Sequence, residues 1–158
     1  MRTIAAHWIS IRADQPIPSW SGLRPAEIAP HLPIVWSYHF DRATGEFSGR
    51  LAGERIGKHL KTSFKGARLA DLHSPETSAW VNRLCFMVAT KPALYAYSGD
   101  IFEKDGRRFP GERITMPLSS NGQDCDGVLG ATDCPHLWGD RALFLPPVPA
   151  AERWFLLG

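Results

Sequence analysis

The sequence is poor in the features that mark several common protein classes. It has three cysteines, Cys85, Cys125 and Cys134, and no two of them have CxxC spacing. So sparse a set is typical of a reducing compartment rather than of a disulfide scaffold, and it predicts a cytoplasmic location. No apolar run approaches 18 residues, and the first residues lack the apolar core and cleavage site of a secretory signal. We therefore expect neither a membrane span nor secretion.

The sequence also lacks a large excess of charge of either sign. The chain has 18 Lys and Arg against 16 Asp and Glu, and no basic cluster interrupts this balance. This composition predicts no nucleic-acid partner and no membrane-surface partner. Hydrophobic residues make up 44% of the chain, which is enough to form the core of one domain.

Sequence motifs of catalysis and cofactor binding are scarce as well. The GxSxG motif is absent, and GERIG at residues 53–57 lacks the lysine of a P-loop and the spacing of a dinucleotide-binding turn. No two of the six histidines have HxH or HxxxH spacing, so only the fold could assemble a metal site. The sequence therefore predicts a protein without enzymatic activity and identifies no cofactor.

Periodic patterns predict two principal helices. Residues 2–12 place Ile4, Trp8 and Ile11 on one stripe at helical spacing. Residues 75–90 form the second helix, because Ser74 can cap it and Pro75 suits its first position. Pro92 cannot continue this helix, so we expect it to end just before that residue.

Alternating apolar residues predict five strands, at residues 34–40, 47–52, 94–102, 109–118 and 128–134. The strands cluster at the two ends of the chain, and the helical segments lie between them. This order indicates an α+β fold with one antiparallel sheet, because a parallel sheet requires strands and helices that alternate.

Four segments carry a resemblance to a known family. They are HWISIRADQPIPSWSGLRPAEIAPHLPIVW, RLAGERIG, the proline after the long helix, and ERITMPLSSNGQ followed by GVLG. Their order resembles that of the bacterial stand-alone PAS-like proteins over roughly Trp8 to Asp140. The resemblance implies a five-stranded antiparallel sheet with helices on one face, an N-terminal helix, and a sensory or regulatory role. We expect residues 1–140 to form this domain and residues 141–158 to form a tail outside the pattern.

The inward faces of the sheet and of the helical middle predict a core or a ligand pocket. The candidate ligand-binding residues are Arg50, Ile56, Leu60, Trp80, Leu84, Glu112, Ile114 and Met116, and Leu94 and Leu129 are expected beside them in the core. Glu112 shares the face of Ile114 and Met116, where an unpaired carboxylate would be costly. Two interpretations stay open, an ion pair with Arg50 or Arg55 and a polar anchor for a ligand.

The predicted function is a sensory module that binds a small molecule or a signalling protein without catalysis. One alternative is a gas or redox sensor with haem or another cofactor, in which His59 or His73 would bind the iron. Another is a small enzyme on a similar α+β shell. Because the N-terminal helix is too short to be stable alone, its apolar stripe needs a partner surface, and we expect a homodimer.

Overall fold

The computed structural model of the protein describes residues 1–91, 93–137, 139 and 141–157. Its helices are α1 (Arg2–Arg12), α2 (Glu54–Gly57), α3 (Leu69–Leu72) and α4 (Pro75–Thr90). Its strands are β1 (Val35–Asp41), β2 (Glu46–Ala52), β3 (Ala93–Lys104), β4 (Arg107–Ser119), β5 (Cys125–Asp133), β6 (Leu143–Phe144) and β7 (Glu152–Leu156). Within these residues, no helix is both long and apolar enough to cross a membrane.

The strands form one curled antiparallel sheet in the order β2-β1-β5-β4-β3-β6, and β7 also pairs with β3. The α+β class and each of the five predicted strands are confirmed. The predicted number of strands is wrong, because β6 and β7 add to the free edge of β3 and make seven. The prolines of the tail argued against strands in the sequence, but proline is tolerated in edge strands.

Three positions used in the sequence predictions lie outside the described residues. They are Pro92, the expected end of the long helix, Asp140, the expected end of the domain, and Gly158, the last residue of the tail. The division of the chain at residue 140 stays a prediction.

Helix α4 covers the concave inner face of the sheet. Its bounds are those that the sequence predicts, and the Ser74 Oγ accepts a hydrogen bond from the backbone N–H of Thr77 at 3.3 Å. Trp80, Leu84 and Val88 recur at helical spacing and are buried against the sheet. The helix therefore fixes the position of one wall of the inner core.

Two apolar cores lie on opposite faces of the sheet. The inner core lies between the sheet and helices α2 to α4. The outer core lies between the sheet and α1, and it contains Ile4, Trp8, Ile28, Ile34, Val35, Ile114, Met116, Leu118, Leu129 and Ala131. The central strands are therefore buried on both faces, which is unusual for strands that alternate so clearly in sequence.

Helix α1 packs on the outer face of its own sheet. Ile4 and Trp8 are buried there, and the indole Nε1 of Trp8 donates a hydrogen bond to the carbonyl of Pro117 at 2.8 Å. The surface that the stripe of α1 requires is thus supplied within the chain. The homodimer stays a prediction, but the apolar stripe of α1 no longer supports it.

A close approach at Gly130 shapes the inner core. A β-carbon at this position would overlap the indole ring of Trp36, which lies against strand β5. The missing side chain lets the indole Nε1 reach the hydroxyl of Thr132 at 2.9 Å. This glycine is therefore required for packing, and it positions two residues of the candidate site.

Truncation of Trp8 should show how much stability α1 contributes. Trp8→Ala removes a buried ring and leaves the Pro117 carbonyl unpaired, so we expect a loss of about 3–5 kcal/mol in the free energy of unfolding. Ile9→Ala is the matched control on the same helix, because Ile9 is 61% exposed, and it should change stability by less than about 0.5 kcal/mol. Urea unfolding measures both, and equal losses would contradict the packing of α1.

Candidate functional site

A small cavity lies between the inner face of the sheet and the helical segments. It has a volume of about 30 Å³, roughly the share of one water molecule in liquid water. Its lining is mostly aromatic and aliphatic and comprises Trp36, Tyr38, Ile56, Leu60, Phe64, His73, Trp80, Val81, Leu84, Arg113, Thr132 and Phe144. An apolar pocket with a few convergent polar groups is the usual form of a small-molecule site.

Arg113 is the charged side chain of this cavity. It lies on β4 opposite Thr132 of β5, and only 2% of its surface is exposed. The guanidinium Nε donates to the Thr132 hydroxyl at 3.3 Å, and the same oxygen accepts from Trp36 Nε1. The guanidinium carbon lies 4.7 Å from the ring centroid of Trp80, so a cation–π contact with α4 holds it in place.

The protein leaves the Arg113 guanidinium incompletely satisfied. Its Nη1 is buried without a hydrogen-bond partner, and it forms no ion pair with any carboxylate in the described part of the chain. Burial lowers the pKa of Arg113 to about 10, so the side chain stays charged at neutral pH. A buried unpaired donor costs about 1–3 kcal/mol, and more when it is charged. The guanidinium therefore retains an unused hydrogen-bond donor at Nη1.

His73 and Tyr38 add neutral polar groups to the same wall. The His73 Nε2 lies 3.3 Å from the Tyr38 hydroxyl. Burial, assisted by the positive charge of Arg113, lowers the pKa of His73 to about 4. Burial also raises the pKa of Tyr38 well above its usual value. Both groups are thus neutral at pH 7, and Arg113 supplies the local charge.

Half of the predicted site residues meet at this cavity. Ile56, Leu60, Trp80 and Leu84 line it, as their helical spacing suggested. Ile114 and Met116 belong to the outer core instead, together with Leu94 and Leu129. Whether any of the eight residues binds a ligand stays a prediction.

The predicted burial and pairing of Glu112 are wrong. Glu112 is exposed, because the buried stretch of β4 begins one residue later, and it lies opposite Asp133. Arg55 pairs with Asp133 at 3.2 Å. Arg50 is exposed and stacks on the ring of Trp20 at 4.2 Å from its centroid. Neither arginine contacts Glu112, so the cost of a buried carboxylate does not arise.

The predicted site residues omit eight of the twelve residues that line the cavity, including Arg113, Thr132 and Phe144. An arginine in a strand normally indicates an exposed face, and Phe144 lies in the tail that we placed outside the domain. No local signal identifies Arg113. One face of an antiparallel sheet is commonly solvated, and here the distant helix α4 covers the face that carries this arginine.

An open cleft of about 420 Å³ adjoins the cavity and shares Ile56 and Thr132 with it. Arg55 crosses the cleft from α2, and its Nη2 donates to the carbonyl of Cys134 at 3.0 Å. Burial raises the pKa of the Cys134 thiol. In the described part of the chain, no three His, Cys, Asp or Glu side chains cluster as metal ligands. The haem alternative, with His59 or His73 as ligand, stays a prediction.

Comparison with known proteins gives one family and one structural relationship. A family model described as a PAS domain matches residues 1–133. No curated protein matches the chain. A chain of VqmA described as bound to DPO is similar, with a TM-score of 0.50 and 13% identity, over 69% of this chain and 55% of that one. The Vibrio cholerae VqmA dimer without target DNA is similar too, with a TM-score of 0.50 and 14% identity, over 71% and 52%.

The exclusion of nucleic acid as a partner is contradicted by this similarity. The Vibrio cholerae VqmA dimer is described in connection with target DNA and the DNA-binding mechanisms of LuxR-type receptors. This chain spans about half the length of the VqmA chains. Balanced charge was a poor guide, because the net charge of a segment records only the partners that contact its own surface.

Protonation of His73 should make stability depend on pH in a defined window. Its pKa is about 4 in the folded state and about 6.5 in an unfolded chain, so the unfolded state binds more protons between these values. Stability should therefore be fully present above pH 6.5 and fall as the pH approaches 4, by on the order of 3 kcal/mol. His73→Phe should remove this component. Urea unfolding of both proteins from pH 4 to 7 measures it, and parallel curves would contradict a buried neutral histidine.

Proposed function

This chain belongs to the PAS domain family, and on that premise we propose that it is a sensory module that binds a small molecule in its inner cavity without catalysis. The observation that carries the proposal is that Arg113 lines this aromatic cavity while its Nη1 is buried without an acceptor among the described residues. Buried polar groups are nearly always paired in folded proteins, so an unpaired one at a cavity suggests a missing ligand.

The size of the cavity bears on the mechanism of binding. Small-molecule pockets usually have volumes of about 300–1,000 Å³, and this one is about 30 Å³. A ligand therefore requires side chains of the lining to move. Leu60 and Phe144 are the best placed to do so, because both are half-buried and lie on short or irregular segments. Such opening selects a minor conformation, which is how a binding event becomes a structural signal.

The titratable groups of the site favour binding over catalysis. General acid–base catalysis works best with pKa values near the working pH. The pKa of His73 is about 4 and that of Arg113 is about 10, so neither exchanges protons readily at pH 7. Burial also raises the pKa of the Cys85 thiol, which keeps this potential nucleophile protonated.

The similar solved structures support a ligand-binding role for this fold. VqmA is described as bound to DPO, so a chain of comparable fold holds a small molecule. At 13% identity the likeness extends to the fold and not to the side chains that choose a ligand. We therefore propose a different set of contacts here, centred on Arg113.

Ligand binding should be visible in the native protein. Native mass spectrometry of the protein purified from its own host should show an adduct of small-molecule mass. A metabolite screen should raise the melting temperature by roughly 5–10 °C at a ligand concentration 100 times the Kd. Screening without any shift, together with an adduct-free spectrum, would contradict the proposal.

Two tryptophan variants place the ligand within the protein. Leu60→Trp fills space at the cavity wall, so it should abolish the shift in melting temperature. Leu51→Trp is the matched control, because Leu51 is 51% exposed on β2 and outside the cavity. This control should keep the full shift, and an equal shift in both variants would place the ligand elsewhere.

A further inference from the structure

We infer that the ligand of the inner cavity is a small aromatic anion whose carboxylate-type oxygens accept hydrogen bonds from Arg113. This inference rests on the proposed function and adds the chemical class of the ligand. It follows from three features of the site: the unused donors of the guanidinium, the absence of a compensating charge among the described residues, and the aromatic surroundings.

The first feature is the set of unused N–H donors on the Arg113 guanidinium. A guanidinium carries five N–H groups in a planar fork that matches two carboxylate oxygens. The described residues use only the Nε of Arg113, through Thr132, and that hydroxyl already accepts from Trp36. Arg113 lines the cavity, and its Nη1 is buried without a hydrogen-bond partner among the described residues. The described part of the chain therefore leaves this donor without an acceptor.

The positive charge of Arg113 predicts that the ligand is negatively charged. The ionisable groups whose charges act most on Arg113 are three tyrosines and a cysteine, Tyr95, Tyr97, Tyr38 and Cys85. Burial raises the pKa of Tyr95, Tyr38 and Cys85, so these groups are neutral at pH 7 and do not balance the cation. A buried charge that is not paired is costly, and an anionic ligand would remove that cost on binding.

The surroundings indicate an aromatic ring. The ring centroid of Phe144 lies 5.9 Å from the guanidinium carbon, 4.4 Å from the ring of Phe102 and 5.4 Å from that of His73. This position is thus already shaped for a six-membered ring beside Arg113. Phe144 belongs to the two-residue strand β6 at the sheet edge, so it can leave more easily than a core residue. A ligand ring in its place would lie beside Arg113.

The test uses three probes of similar size and different charge, namely benzoate, benzamide and benzylamine. Isothermal titration calorimetry of the full chain gives their dissociation constants. The wild type should bind benzoate roughly tenfold or more tightly than benzamide, because a close charge pair contributes at least about this factor. Benzylamine should not bind. Arg113→Met should lose the preference for benzoate, and Arg107→Met, an exposed arginine of the same strand, should keep it.

A second variant makes the result independent of the stability of Arg113→Met. Phe144→Ala removes the ring that occupies the proposed position, so it should bind benzoate roughly tenfold more tightly than the wild type. Melting temperatures monitor folding, and Arg113→Met should hold or gain stability, because an apolar residue of similar volume replaces an unpaired charge.

The outcomes separate this inference from the proposed function. Equal binding of benzoate and benzamide, or no benzoate binding by the wild type and Phe144→Ala, overturns the aromatic anion. In either case, a neutral or cationic compound found by the metabolite screen would still support a ligand-binding module. If no compound of any class binds, the proposed function fails as well.

Discussion

The burial of a positive charge on the inner face of the sheet is the constraint on which the site depends. Arg113 is held by one hydroxyl, by the ring of Trp80 and by the sheet itself, and it has no carboxylate partner in the described residues. Desolvation of a cation is expensive, so evolution rarely keeps such a residue in a core without a use. The surrounding aromatic rings and the neutral His73 add no second positive charge beside Arg113.

The alternation of side chains along β4 assigns its residues to the two cores. Residues 114, 116 and 118 pack under α1, and residues 113 and 115 point to α4. A shift of one residue in register would exchange these sets and place the arginine under the N-terminal helix. The hydrogen bond from Trp8 to Pro117 and the packing of Trp36 over Gly130 both depend on the observed register. The outer core therefore stabilises the arrangement that the inner site requires.

The tail links the edge of the sheet to the cavity. Strand β7 pairs with β3 along five residues, and the phenol of Tyr95 donates to the Glu152 carboxylate at 3.0 Å. Strand β6 is much shorter and carries Phe144 into the cavity wall. Any enlargement of the cavity on this side must therefore move a segment that is anchored firmly at one end and weakly at the other.

Local sequence determined the elements of this protein, and tertiary structure decided which of them face the site. Ser74 and Pro75 fix the start of α4, and helical spacing correctly places Trp80 and Leu84 at the cavity, because caps and periodicity act within a few residues. Alternation groups Ile114 with Met116, but it cannot tell which layer covers them, since both faces of a central strand are buried. Arg113 and Phe144 escaped prediction for the same reason: their burial comes from segments distant in sequence, α4 and the tail strand β6.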